Sequence, residues 1–513
     1  MDTYLIAYDL GTSGNKAALY NVQGACVAEC FEAYQTFYPR SGWHEQRPLD
    51  WWQAVAASTR RLLAESGVDP AAIVCCGISG HSLGVVPLDA HGNLLREATP
   101  IWSDSRASEQ AQRFFQNIPE AEWYTITGNG FPPPLYSVFK IMWFRDHEPE
   151  MFARVDKFIG TKDYINYRLT GFIGSDYSYA SGTGVYDLLG WKYSPRLIEA
   201  SGLSASLFPE IVASTQVIGT LHSEAAAELG LKPGIKVVCG GVDNSCMALG
   251  ARNTREGRVY NSQGSSSWIA VSSSKPLIDL RVRPYVFTHV LPGMFTSAVS
   301  TFSAGTSFRW VRDHFCRDLK EQAERQQVDV YDLMTAEAAQ SPVGANGLLF
   351  NPNMAGGTSM SPSVNIRGAF LGLDLAHTRA DILRAAMEGI ALELRLALDE
   401  LRRMQTLSSE MLVVGGGSHS SLWRQIYADV YEMDIVKTNI DQQAAALGAA
   451  ACAAVGAGLW HSFDIVDEIH QVEDITRPIA AHSQVYRSYL PIFARAGEHL
   501  AELGDRIAAL RTG

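Results

Sequence analysis

The sequence predicts an α/β protein built from two related domains, and three observations support this prediction. Short apolar runs that are typical of strands alternate with stretches of helical periodicity. A strand, a turn rich in glycine and hydroxyl groups and a second strand occur near the start of the chain and again near its middle. The chain also has 513 residues, more than one hydrophobic core usually supports.

The first half of the chain opens with a predicted β-hairpin. Residues 4–8 and 16–22 are β-rich runs on either side of a Gly-Thr-Ser-Gly turn. Residues 49–66 space their apolar side chains as a helix does. Residues 71–78 and 83–88 are two further predicted strands.

The second half repeats this order of elements. Residues 236–241 are a predicted buried strand, and residues 258–271 form a second strand, Gly-hydroxyl turn and strand. A helix is predicted over 379–401, a strand over 411–414 and a helix over 420–432.

The pattern breaks near residues 247–257, so we place the boundary between the domains there. We predict an N-terminal domain over 1–250 and a C-terminal domain over 251–460. A mostly helical tail over 461–513 is predicted to pack on the C-terminal domain.

Composition excludes several classes of function. The net charge is −12 and no long basic run occurs, which argues against nucleic-acid and acidic-membrane partners. The eight cysteines form no C-x-x-C pair, as expected of thiols in a reducing compartment. Residues 444–460 are rich in Ala and Gly and indicate a packed core helix, not a membrane span. With no signal-peptide pattern at the start, we predict a cytoplasmic protein.

The first glycine-rich turn matches neither of the common nucleotide-binding patterns. Gly11 and Gly14 are followed by Asn15 and Lys16, and no Ser or Thr follows the lysine as a P-loop requires. The spacing of the two glycines also differs from the dinucleotide fingerprint G-x-G-x-x-G.

The same turn still offers groups that can bind phosphate. Its backbone N–H groups and the hydroxyls of Thr12 and Ser13 can point at phosphate oxygens, while Asp9 at the strand end can hold Mg²⁺ directly or through water. An ordinary β-turn is the alternative interpretation.

Asp243 follows a strand and a Gly-Gly turn, where small neighbours allow a substrate to approach. Phosphoryl transfer to a hydroxyl group needs a carboxylate base near that hydroxyl, so Asp243 is a candidate base. The alternative interpretation, which does not exclude the first, is that Asp243 caps the helix that follows. The turn at Gly415, Gly416 and Gly417 could approach an adenosine ring, although three glycines alone are weak evidence.

Beyond these turns, many spaced segments resemble the FGGY family of carbohydrate kinases, and most of all its xylulokinase branch. The resemblance covers roughly residues 4–460. The segments that carry it are DLGTS (9–13), SGWHEQRPLDWW (41–52), WSDSR (102–106), YSVFKIMWFRDH (136–147), KDYINYRLTG (162–171), GGVDN (240–244), GAFLGLDLAHTRADILRAAMEGI (368–390), GGGSHSSLWRQIYADVYEMDI (415–435) and QQAAALGAA (442–450).

This resemblance implies two ribonuclease-H-like domains, of the actin and hexokinase type, flanking a deep cleft. It implies ATP and Mg²⁺ as cofactors, a sugar as substrate and a possible homodimer. Asp9 would serve the metal and Asp243 would be the general base, with Asn244 on a neighbouring hydroxyl group. The nucleotide would contact Gly11, Thr12 and Ser13 at the γ-phosphate, Gly264, Ser265 and Ser266 at the β-phosphate, and Gly415, Gly416 and Gly417 at adenosine.

The predicted sugar loop departs from the xylulokinase pattern. That pattern reads Ser-Gly-Gln-Met-His-Gly, whereas residues 79–84 read Ser-Gly-His-Ser-Leu-Gly. His81, Ser82 and Leu83 are predicted to border the substrate. Trp102 is predicted to pack against the carbon face of the sugar, with a place in the hydrophobic core as the alternative. Because Leu83 stands where the pattern has His, one polar group is missing from the loop. Such changes can alter specificity, because a site built to bind a hydroxyl group rejects analogues that lack it.

The sequence therefore predicts ATP-dependent phosphorylation of a ketopentose, D-xylulose or a related pentulose. The alternatives are a kinase of a ketohexose or polyol and a non-catalytic, actin-like nucleotide sensor. A glycerol-kinase-like enzyme fits less well, because residues 79–84 lack the Arg-Glu sugar contact of that branch.

Overall fold

The computed structural model describes residues 2–301, 303–358 and 360–511. The strands of the first half are β1 (Tyr4–Leu10), β2 (Gly14–Asn21), β3 (Cys26–Ala33), β4 (Glu45–Gln46), β5 (Ile73–Gly80), β6 (Val86–Leu88), β7 (Thr99–Pro100), β8 (Lys157–Ile159), β9 (Gly174–Asp176), β10 (Tyr186–Asp187), β11 (Lys192–Tyr193), β12 (Glu210–Val212), β13 (Val217–Thr220), β14 (Lys236–Val238) and β15 (Gly241–Val242). Its helices are α1 (Pro48–Ser66), α2 (Ser108–Phe114), α3 (Glu120–Thr127), α4 (Ser137–His147), α5 (Pro149–Phe152), α6 (Thr161–Thr170), α7 (Tyr177–Ala180), α8 (Pro195–Ser201), α9 (Ser223–Leu229) and α10 (Asp243–Gly250).

The second half is again mixed. Its strands are β16 (Val259–Gln263), β17 (Ser267–Ser273), β18 (Tyr285–Thr288), β19 (Phe295–Thr301), β20 (Leu349–Asn351), β21 (Ala369–Leu371), β22 (Glu410–Val414), β23 (Asp434–Thr438) and β24 (Val472–Thr476). Its helices are α11 (Gly305–Phe315), α12 (Arg317–Gln326), α13 (Val330–Ala338), α14 (Arg379–Met404), α15 (Ser421–Tyr431), α16 (Ala444–Ala457), α17 (Ile465–Ile469) and α18 (Ala480–Arg511).

The chain forms two compact units that are interleaved along the sequence. Unit 1 comprises Met1–Glu256, Ser272–Ser297 and Gln443–His470, and unit 2 comprises Gly257–Val271, Ala298–Gln442 and Gln471–Gly513. The predicted α/β class with a sheet in each half is confirmed. The division at residues 250 and 460 stays a prediction.

Unit 1 is a sheet with helices on both faces. The strand order is β13-β14-β5-β1-β2-β3, with β15 also paired to β5. β1 and β2 are antiparallel, as the hairpin prediction requires, whereas β1, β14 and β15 all run parallel to β5. Helix α1 packs against β2 and β3, and α16 packs against β1 and β5.

The Ala-rich run predicted to be a core helix forms the buried helix α16. Its residues from Ala444 to Ala454 are buried, and a Cβ atom at Gly448 would lie 1.9 Å from the backbone oxygen of Cys246 in α10. Only small side chains allow helices and strands to approach so closely. None of the helices in the described residues combines the length and the apolar character that crossing a bilayer requires.

Unit 2 repeats the arrangement of hairpin and parallel strand. β16 pairs antiparallel with β17 and parallel with β22, as β1 does with β2 and β5. The sheet continues through β23 to β24. In the tail, helix α18 packs against α14 and α15.

One predicted strand begins later than expected. The sequence predicts a strand over residues 83–88, but β6 begins at Val86. Leu83 has a φ of 61°, in the left-handed region that an extended strand does not use. Residues 83–85 are buried in a loop, so their apolar sequence reflects burial and not the pairing of a β-strand.

Gly240, in the turn before Asp243, has a φ of 70°, and a Cβ atom there would lie 1.9 Å from the carbonyl oxygen of Ile78. We expect Gly240→Ala to lower the free energy of unfolding by about 3 kcal/mol, from backbone strain and steric overlap together. Gly234→Ala is the matched control, because Gly234 has a φ of 89° and open space around it. It should cost only about 1 kcal/mol for backbone strain. Equal losses of unfolding free energy in the two variants, measured by chemical denaturation, would contradict the close approach of Gly240 to Ile78.

Candidate active site

Three segments of unit 1 meet at the carboxyl end of β5. The parallel registers place Asp9 of β1 and Gly241 of β15 on either side of Ser79. Because the carboxyl ends of parallel strands lie at one edge of a sheet, the hairpin turn, the loop after β5 and the turn before Asp243 are neighbours there. The structure thus brings together three of the segments that the sequence singled out.

The hairpin turn at residues 11–14 is closed by its own backbone and presents two hydroxyl groups. The Gly11 N–H donates to the Gly14 carbonyl at 3.0 Å, and Thr12 and Ser13 are exposed. The indole N–H of Trp102 donates to Thr12 Oγ1 at 2.9 Å. Trp102, predicted to pack against the sugar, therefore contacts the predicted phosphate turn.

Two further side chains hold this turn, and sequence reasoning assigned neither a role. Buried Gln46 donates from Nε2 to the Thr12 carbonyl at 2.7 Å, while its Oε1 accepts from Trp51 at 2.9 Å. The Tyr34 hydroxyl donates to the Gly11 carbonyl. The only signal in the sequence for either residue was that Gln46 lies in the WHEQ segment that resembles the family.

Asp9 is a half-buried carboxylate whose charge is poorly solvated. Burial raises its pKa above the ordinary value, and the nearby Ser79 hydroxyl and the Lys16 ammonium oppose this shift. Lys16 is its direct cross-strand neighbour on β2. A carboxylate in this setting can gain stability from a bound cation.

Asp243 is the first residue of α10 and is also half-buried. Its Oδ1 accepts hydrogen bonds from the backbone N–H of Asn244 at 2.8 Å and from Asn244 Nδ2 at 3.1 Å. Burial, followed by the negative charge of Asp9, raises the pKa of Asp243 to about 7. Val242, not Asp243, is the N-cap residue of α10, although the Asp243 side chain does accept from the N–H of Asn244 in the first turn.

The backbone of the predicted sugar loop is held by side chains from outside it. Thr161 Oγ1 donates to the His81 carbonyl at 2.6 Å, and the Tyr179 hydroxyl donates to the Gly84 carbonyl at 3.3 Å. Lys140, which is fully buried, donates to the Leu83 carbonyl at 3.0 Å. The loop is therefore a rigid feature of unit 1.

Lys140 has a second contact, with the segment that carries Trp102. Its Nζ donates to the Ile101 carbonyl at 2.6 Å, next to Trp102. Burial lowers the pKa of Lys140 to about 7. One side chain thus ties the sugar loop to the segment that carries Trp102.

The side chains of the sugar loop are largely buried. His81 is 1% exposed, and burial followed by the charge of Lys140 lowers its pKa to about 3, so the ring is neutral. Neither ring nitrogen of His81 has a hydrogen-bond partner among the described residues. Leu83 is 1% exposed and belongs to the aromatic cluster that includes Phe139. Ser82 is 7% exposed.

In unit 2, the turn at Gly264, Ser265 and Ser266 is held by the start of α11. The Gly305 N–H donates to the Gly264 carbonyl at 3.1 Å, and the Thr306 N–H donates to the Ser265 carbonyl at 2.9 Å. Arg309 reaches Ser265 Oγ at 3.3 Å and places a guanidinium group at the turn. Sequence reasoning missed α11 because its contacts with the turn are remote in sequence.

The triple-glycine turn lies beside the same hairpin. Gly415 has a φ of 91°, which favours glycine, and its N–H donates to Asp441 Oδ1 at 2.7 Å. A Cβ atom at Gly417 would lie 1.7 Å from Gln263 Oε1, so a larger residue would displace that side chain. Within unit 2, the structure therefore brings the two predicted nucleotide turns together around Gln263.

Comparisons with known proteins find relatives over nearly the whole chain. The family model for the N-terminal domain of the FGGY family of carbohydrate kinases matches residues 4–250, and the model for the C-terminal domain matches residues 259–457. A xylulose kinase of Bacillus subtilis (strain 168) is 30% identical over 513 residues, covering 99% of each chain. A gluconokinase of the same organism is 28% identical over 519 residues, covering 100% of this chain and 99% of its own.

A solved structure shows the same fold. The crystal structure of xylulose kinase from Rhodospirillum rubrum has a TM-score of 0.86 and 27% identity, with 98% of this chain and 100% of that chain covered.

The raised pKa of Asp243 predicts a pH-dependent cost to stability. The ordinary carboxyl pKa is 3.8 and the folded value is about 7, so the folded state binds the proton more tightly. The contribution of Asp243 to the free energy of unfolding is therefore fully present below about pH 4 and is lost as the pH rises through about 7. Asp243→Asn should raise the melting temperature little at about pH 4 and most above about pH 7. Scanning fluorimetry across this range measures the difference.

The control for this experiment is Glu199→Gln, an acid-to-amide change at an exposed helical position. If Asp243→Asn changes the melting temperature by the same amount at every pH, burial does not raise the pKa of Asp243.

Proposed function

Because the chain belongs to the FGGY family of carbohydrate kinases, we propose that it transfers the γ-phosphoryl group of ATP to a hydroxyl group of a ketopentose, D-xylulose or a related pentulose. The observation that carries the reaction is Asp243, a carboxylate with a pKa of about 7 beside the phosphate turn and Asp9. The pentulose is supported by relatives named xylulose kinases, with 30% identity over nearly the whole chain.

Asp243 is assigned as the general base. Its Oδ1 is occupied by the two N–H groups of Asn244, so Oδ2 is the oxygen that we assign to the attacking sugar hydroxyl. A base is most effective when its pKa lies near the working pH, and burial brings Asp243 into that range. Asn244 is assigned to a neighbouring hydroxyl group of the sugar.

Asp9 is assigned to Mg²⁺, and the site fits that ion. Asp9 and Asp243 together create a negative field, and no cluster of three potential metal ligands occurs in the described residues. Protein Mg²⁺ sites commonly use one or two carboxylates, with phosphate oxygens and water completing the shell. When bound, Mg²⁺ would neutralise phosphate charge and orient the γ-phosphoryl group.

The remaining nucleotide contacts follow the two hairpins. Gly11, Thr12 and Ser13 are assigned to the γ-phosphate, and residues 264–266 to the β-phosphate. Residues 415–417 are assigned to adenosine, since the lack of side chains lets a ring approach the backbone. His81, Ser82, Leu83 and Trp102 are assigned to the sugar side, where Leu83 acts through the shape of the loop because its side chain is buried.

A kinase of another sugar is the second candidate, and the gluconokinase relative at 28% identity favours it. A ketohexose or a polyol belongs to the same alternative. Family membership makes the chain a carbohydrate kinase, so the non-catalytic sensor is set aside. The homodimer and the cytoplasmic location remain predictions, the first of which light scattering can check.

A coupled assay of ADP release, with ATP and Mg²⁺, identifies the substrate from a panel of pentuloses, ketohexoses, polyols and gluconate. We expect the highest kcat/KM on a pentulose. A higher kcat/KM on gluconate or a ketohexose would replace the proposed substrate, and no ADP release with any sugar would overturn the proposed reaction.

Asp243→Asn should reduce kcat by about 10²–10⁴-fold, because the amide cannot accept the proton. Binding of a non-hydrolysable ATP analogue, measured by calorimetry, should stay within about twofold, since nucleotide contacts are assigned elsewhere. Glu199→Gln again serves as the control. Full turnover by Asp243→Asn would remove Asp243 from the role of base.

A further inference from the structure

The peptide that precedes Asp243 is held by a buried hydroxyl group from a distant part of unit 1. The Val242 N–H donates to Ser178 Oγ at 2.9 Å. Both residues are fully buried, so water does not replace this contact. Ser178 Oγ in turn donates its proton to Asp176 Oδ2 at 2.5 Å. With its proton directed at the carboxylate, the hydroxyl group has its lone pairs available for the Val242 N–H.

Asp176 is itself fixed from several directions. Its Oδ2 also accepts from the Ser178 N–H at 2.9 Å and from Ser214 Oγ at 2.8 Å. Its Oδ1 lies 3.0 Å from Lys162 Nζ. The side chain of Asp176 is fully buried, and a buried carboxylate is stable only with such partners.

Lys162 connects this carboxylate to the other end of the same turn. Its Nζ lies 2.7 Å from Asp163 Oδ1 and 3.5 Å from the carbonyl oxygen of Cys239. Asn166 Nδ2 donates to the same Cys239 carbonyl at 2.8 Å. The turn from Cys239 to Val242 is thus held at its first carbonyl and at its last N–H group by one buried polar network.

Packing around the turn leaves no space for it to shift. A Cβ atom at Gly241 would lie 3.0 Å from Ser178 Oγ and 2.5 Å from Val290 Cγ1. The turn is therefore confined between the serine and the valine. The held N–H belongs to Val242, the residue directly before Asp243, so a shift of this backbone would carry the Asp243 carboxylate with it.

We propose that Ser178 and Asp176 are positioning residues for Asp243, and that Lys162 stabilises the buried charge on which they depend. This proposal rests on the proposed role of Asp243 as the base. None of the three residues needs to contact the substrate. Loss of the Ser178 hydroxyl leaves the Val242 N–H without its acceptor and lets the carboxylate move from its reactive position.

The expected kinetic signature is a fall in kcat with little change in KM, because the residues assigned to sugar and nucleotide binding are not altered. A displacement of about 1 Å at a reacting group can cost about 10²-fold in rate. We therefore expect Ser178→Ala to lower kcat by about 10- to 100-fold, with both KM values within about twofold.

Ser214→Ala provides a matched control. Ser214 is buried and its hydroxyl group donates to the same Asp176 oxygen, at 2.8 Å, but the Val242 N–H is bonded to Ser178. Both variants should have similarly reduced free energies of unfolding, whereas only Ser178→Ala should have a reduced kcat. Hydrogen exchange at Val242 should accelerate in Ser178→Ala and stay slow in Ser214→Ala. Ser178→Thr, which keeps the hydroxyl group, should recover most of kcat.

Several outcomes would overturn the proposal. These are an unchanged kcat in Ser178→Ala when Val242 exchanges faster, and equal losses of kcat in Ser178→Ala and Ser214→Ala. If Ser178→Ala does not fold, Ser178→Cys replaces it, because a thiol is a weaker acceptor than a hydroxyl group. If the unaltered enzyme phosphorylates no sugar, the proposed function fails, and exchange at Val242 still tests whether Ser178 holds the turn.

Discussion

The parallel pairing of β5 with strands on both sides is the constraint on which the candidate site depends. β1 and β15 flank β5, and their registers bring Asp9 and Gly241 to the level of Ser79. The proposed metal ligand, sugar loop and base are thereby collected at one sheet edge, although more than 200 residues separate Asp9 from Asp243 in sequence. Unit 2 uses the same device, since β22 runs parallel to β16 and places the triple-glycine turn beside the second hairpin.

The charged forms of Asp9 and Asp243 are electrostatically destabilised in the folded protein. Asp9 and Asp243 both have raised pKa values because burial disfavours their charged forms, and the charge of Asp9 adds to the shift of Asp243. Nearby, Lys162 is paired with Asp163 and Asp176, so the charged groups below the turn are paired with one another. By contrast, burial raises the pKa values of Asp9 and Asp243, and a bound cation would stabilise their charged forms.

The predicted sugar loop is held at its backbone by side chains from outside it. The carbonyl groups of His81, Leu83 and Gly84 accept from Thr161, Lys140 and Tyr179 respectively. Leu83 faces the aromatic core, so the departure from the xylulokinase pattern at this position changes packing more than it changes the polar surface of the loop. The neutral ring of His81, with both nitrogens unsatisfied within the described residues, is the polar feature of the loop that a hydroxyl group could satisfy.

The sequence by itself determined the α/β class, both hairpins, the main helices and the family, because periodicity and local turn chemistry are written in neighbouring residues. It also singled out Asp9, at the end of a predicted strand, and Asp243, after a predicted strand, each two residues from a glycine. Only the tertiary structure showed that Gln46 and Tyr34 hold the first turn, that α16 joins unit 1, and that Ser178 holds the peptide before Asp243. These contacts join residues that are distant in sequence, and no local pattern specifies which buried hydroxyl or amide group will meet which backbone atom.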